Sequence, residues 1–134
     1  MEIPKDAKTY ELRSSVIWFD NEGIAFSKPR PDAPLRSTDE EIISEVNRFL
    51  EITGGKKVCI IVETPPKGET TPKTQRDLVE SELNRLIIAL AIITTSPLSK
   101  MLANIFFSFK PPVYPTKMFS DEKEALEWIR QFNR

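Results

Sequence analysis

The chain has no histidine, one cysteine and only four glycines in its 134 residues. Without histidine there is no imidazole base, which removes every nucleophile triad that needs one and most zinc sites. A single cysteine excludes an internal disulfide framework. Cys59 lies inside the apolar run Val58–Val62 and reads as a small buried hydrophobe whose thiolate is disfavoured by burial. Four glycines supply neither a Gly-rich phosphate loop nor a Gly-x-Ser-x-Gly elbow. Neither sign of charge is in excess: 19 Lys+Arg stand against 20 Asp+Glu, which argues against nucleic-acid binding driven by bulk charge. No apolar run approaches the roughly 20 residues of a bilayer span. The longest, Leu86–Ile93, is followed by Pro97, Ser99 and Lys100. Met1–Tyr10 is polar and carries no signal-peptide core. Together these absences predict a reduced, cytoplasmic protein that does not span a membrane and holds no metal or cofactor.

What is present suits one globular domain over residues 1–134: 40% of the residues are hydrophobic and 29% charged, ordinary values for a soluble fold. Thr9–Phe19 is rich in β-branched and aromatic residues. Asp20-Asn21-Glu22-Gly23 is a turn signal, and Ile24–Ser27 returns as the second arm of a hairpin. Pro29, Pro31 and Pro34 then interrupt the sheet. Thr38-Asp39-Glu40-Glu41 has the pattern of a capping box. After it Ile42, Ile43, Val46, Phe49 and Leu50 recur at helical spacing until Gly54 and Gly55. Val58–Val62 is apolar without alternation, as in a strand covered on both faces. Thr74–Leu86 reads as a second helix and Ile87–Thr94 as a further strand. Ser96-Pro97 starts a third helix that ends at Pro111-Pro112. Thr116–Phe119 is a short strand, and Ser120 caps a terminal helix that turns Ala125, Leu126, Trp128, Ile129 and Phe132 inward.

Alternation of this kind implies parallel strands with helices on both sheet faces. The fold class expected is α/β, a mixed sheet of about five strands with an N-terminal antiparallel hairpin and four helices. Its proline loops at Lys28–Arg36 and Thr64–Lys73 are surface connections.

The acidic groups Asp39/Glu40/Glu41 and Asp121/Glu122/Glu124 sit at helix starts, where they cap and complement the dipole, which weakens any reading of them as catalytic carboxylates. Lys56-Lys57 reads as a solvated edge. The carboxyl ends of parallel strands are where open α/β sheets bind ligands. That rim gathers Glu63 and Thr64 after one strand and Thr94, Thr95 and Ser96 after the next. Lys73, Arg76 and Lys100 stand near the helix starts at Thr74 and Ser96. Such a cluster either holds a phosphate or carboxylate or consists of helix caps and solvated cations. Phe107 falls opposite the Leu98/Met101/Leu102/Ile105/Phe109 stripe, beside Lys100. Either it is a dimer contact or the Pro111–Pro115 loop, with Tyr114, folds over it.

The stretch Ser96–Phe107, the segments Tyr114–Asp121 and Glu124–Ile129, the hairpin with Trp18 and Gly23, and the strand Val58–Val62 together resemble the STAS/SpoIIAA-like bacterial proteins. The resemblance spans nearly the whole chain and rests on packing motifs. It implies a SpoIIAA-like sheet with four helices, no catalysis, and a protein partner bound through the loop after the central strand and the next helix start. In the better-known members, anti-sigma-factor antagonists, a serine in that loop is phosphorylated. Here Glu63–Thr74 contains no serine, and Thr74 occupies the nearest position. The resulting expectation is a non-catalytic interaction module that contacts an unidentified protein partner through Thr64, Lys73, Thr74 and Arg76, with Lys100 and Phe107 at a homodimer contact. The alternative is a carrier of a small apolar, lipid-like molecule held between helices and sheet.

Overall fold

The structure, a computed structural model, describes residues 1–32, 38–63, 81–82, 84–95, 101 and 113–133. Within them one mixed sheet carries six strands in the order of the chain: β1 (Tyr10–Glu11), β2 (Ser15–Phe19), β3 (Ala25–Pro29), β4 (Val58–Glu63), β5 (Ile87–Ile93) and β6 (Thr116–Phe119). The β1–β2 and β2–β3 pairs are antiparallel. Those from β3 through β6 are parallel. Helices α1 (Asp39–Thr53) and α2 (Glu122–Arg130) pack against opposite faces: Phe49 of α1 joins a core with Leu12, Ile17, Ala25 and Ile60, while Ala125 and Ile129 of α2 join one with Trp18, Phe26, Cys59 and Ile61.

The hairpin turn forms because Asp20 Oδ1 accepts from the N–H groups of both Glu22 and Ile24, at 2.9 Å each. Gly23 takes the positive φ of 81° that the turn needs and that few other residues adopt. The capping box is present: the Thr38 hydroxyl accepts from Glu41 N at 3.1 Å, and Glu41 Oε1 accepts from Thr38 N at 2.9 Å. Gly54, left-handed at φ 65°, closes the helix. Ile43, about 60° round the helix from Val46, faces outward and is 39% exposed, so it lies beside the buried stripe and not in it. Ile87–Ile93 is extended and lies parallel to β4. A register shift at Val58/Cys59, which face Ile87 and Ala89, inserts Ile88. The bulge turns Ile87 toward the α1 side and Ala89, Ala91 and Ile93 toward the α2 side.

Several expectations need correction. Thr9–Phe19 is two strands and not one, hence six strands instead of five. Leu12 N donates back to Ser15 O at 2.8 Å, and the turn between them is held to α1 by the Arg13–Glu41 ion pair and by Ser14, whose N–H and Oγ both donate to Glu45 Oε1 at 2.9 and 2.6 Å. Pro29 does not interrupt the sheet. The ladder bonds of the hairpin fall on the pairs 20/24 and 14/30, so Pro29, opposite Ser15, owes β2 no hydrogen bond. Pairing of β3 with β4 ends at Ser27. The cap of the last helix is Asp121 and not Ser120, because its carboxylate reaches Lys123 N at 3.1 Å. Asn84–Leu86 is a turn and no part of a helix; Leu86, buried, accepts from Val58 N at 2.8 Å. Among the described residues there are two helices, α1 and α2, and not four. The expected helices over 74–86 and 96–110 fall mostly outside those residues, although Ser81, Glu82 and Met101 have helical backbone.

Candidate functional site

Parallel pairing from β3 to β6 brings four strand ends to one edge of the sheet. The register sets Ser27 beside Val62 and Glu63 beside Ile93, with Ile93 in turn beside Phe119. Both described helices also start here, since each follows the carboxyl end of a parallel strand. Their first turns hold Asp39/Glu40/Glu41 and Glu122/Glu124. These carboxylates complement the helix dipole. The Thr38 backbone N–H, bonded to Glu41, holds that carboxyl below the ordinary glutamate value, and Arg13 lowers it further.

Of the rim residues expected from sequence, the edge assembles Glu63, Thr94 and Thr95. Thr94 is buried and its N–H donates to Phe119 O at 2.8 Å; Thr95 is exposed. Thr64, Lys73, Thr74, Arg76, Ser96, Lys100 and Phe107 lie outside the described residues. Tyr114, which in one of the two readings of Phe107 folds over it, is buried with Phe49 and Ile60 on the α1 side of the sheet.

Sequence reasoning missed the best-defined polar cluster on this edge. On the α2 side, period-two alternation puts Lys28 on the face of Phe26, and Glu63 on that of Cys59 and Ile61. Continuing the β3–β4 register past Ser27 and Val62 sets Lys28 and Glu63 side by side. Between them they hold the backbone of Met1: Lys28 Nζ donates to the Met1 carbonyl at 2.7 Å, and the Met1 ammonium donates to Glu63 Oε1 at 2.9 Å. Met1 and Ala7 pack against the α2-side core. Lys28 could have been found from its place two residues after Phe26 on the same strand face. Nothing in the pattern of residues 1–9 marks them as returning to the far end of β4.

Cys59, the one sulfur nucleophile, is fully buried in β4, and burial pushes its thiol up, with a backbone bond from Ala89 partly opposing. Among the described residues no helix is long and apolar enough to cross a membrane, and no cluster of Cys, Asp and Glu could hold a metal ion.

The six-stranded mixed sheet with its antiparallel hairpin is a SpoIIAA-like α/β fold. In fold the chain is similar to the crystal structure of an uncharacterised protein of the DUF3478 family from Shewanella loihica PV-4, itself described as SpoIIAA-like, with a TM-score of 0.61 at 17% identity over 91% of this chain and 98% of that one. A second solved structure, of a protein of unknown function from Arthrobacter sp. FB24, aligns at 18% identity over 97% of this chain and 98% of that one with a TM-score of only 0.27. No curated protein matches. The chain belongs to the family described as "Domain of unknown function (DUF7793)", which it matches over residues 17–133.

Proposed function

We propose that this protein is a non-catalytic regulatory module of the cytoplasm that binds a protein partner at the carboxyl edge of its parallel strands, through Thr64, Lys73, Thr74 and Arg76. The observation that carries the reading is the geometry of that edge: β4 ends at Glu63, so the proline-rich loop begins where four strand ends and two helix starts converge, the position at which α/β sheets present their binding loops. The likeness to a SpoIIAA-like fold supports it. So does the burial of Cys59, which keeps the one thiol from chemistry. A second copy docks through Phe107 and Lys100 in this reading.

Affinity capture with wild type, Thr74→Glu and Arg76→Ala as baits tests the site. A protein recovered by wild type and lost with either variant is the expected result, and equal recovery by all three removes this loop from consideration. Sedimentation of Phe107→Ser beside wild type tests self-association: the variant is expected to be monomeric where wild type is dimeric, and identical mass for both rejects the contact.

A further inference from the structure

We draw no further inference here: the strongest candidate, the half-buried aromatic face that Trp128 and Phe132 form along α2 and just beyond its end, beside Phe119 of β6, carries nothing because no observation among the described residues shows what covers it.

Discussion

Labelling of Cys59 by a thiol reagent puts a number on how inaccessible the centre of the sheet is. Its side chain is fully buried between Ala89 on β5 and the α2-side core, so a reagent reaches it only when the strands part. An ordinary exposed thiol, with a pKa near 8.5, is about one quarter ionised at pH 8 and reacts readily. If parting the strands costs as much as unfolding a marginal domain, at least about 5 kcal/mol, labelling is slowed more than about a thousandfold relative to the protein in urea. Ile61, two residues along the same face and also fully buried, supplies the perturbation. Ile61→Ala removes a fully buried branched side chain and leaves a cavity, a change worth about 3 kcal/mol. Under dilute reagent, where opening equilibrates before reaction, it should speed labelling about a hundredfold. The assay is the rate of absorbance release from an aromatic disulfide at pH 8 for both proteins, folded and in urea. Native wild type reacting within tenfold of its urea reference would refute the burial argument and restore Cys59 as a candidate nucleophile. Equal rates for wild type and Ile61→Ala would show that opening at Cys59 is local and independent of the core.

The capping box provides a second test: Thr38→Ala should destabilise the protein by about 1 kcal/mol in urea titrations, the usual worth of a hydroxyl cap. The carboxyl of Glu41 is held below its ordinary value, first by the Thr38 N–H and further by Arg13. A depressed folded pKa gives stability that is present above the unfolded value and lost as pH falls through the folded one. Unfolding midpoints should therefore drop less on acidification in Glu41→Gln than in wild type, and parallel curves would reject the assignment. Arg130 pairs with Glu22 through both Nε and Nη2 at 3.3 Å, and both side chains are about half exposed. Such pairs contribute little, so Arg130→Ala should change stability by less than about 1 kcal/mol; a larger loss would mean that α2 depends on the hairpin tip.

The elements with strong local signals were legible from sequence because local chemistry decides them. Thr38/Glu41 and Gly54 fix the two ends of α1, Gly23 fixes the hairpin, and the unbroken apolar runs around Ile60 and Leu90 fix two adjacent parallel strands. Errors arose where a tertiary partner decides. The break after Leu12 depends on Glu41 and Glu45, about 30 residues away, and Ser14-Ser15 is only a weak turn signal without glycine or proline. Pro29 looked like a breaker because its pairing register is invisible in sequence. Ser120 and Asp121 are both good caps, and only the carboxylate lies within reach of Lys123 N. The rim was predicted as strand ends, which topology alone sets. The contacts of Lys28 and Glu63 with Met1 were not, because Met1 returns to β4 from 62 residues away.

The two edges of the parallel sheet are closed by backbone bonds and side-chain ties in different combinations. At the amino edge the hairpin tip is tied to the end of α2, with Glu22 held by Arg130 and its carbonyl by Asn133 Nδ2 at 3.0 Å. Leu86 O and Pro115 O there accept from Val58 N and Leu90 N, at 2.8 Å each. The carboxyl edge carries backbone bonds as well, from Thr94 N to Phe119 O at 2.8 Å and from Arg30 N to Ser14 O at 2.9 Å, beside the caps on the helix starts, the Arg13 and Ser14 contacts to α1 and the hold of Lys28 and Glu63 on Met1. Both edges therefore carry backbone bonds, and what sets the carboxyl edge apart is that the starts of both described helices, with their acidic first turns, meet it.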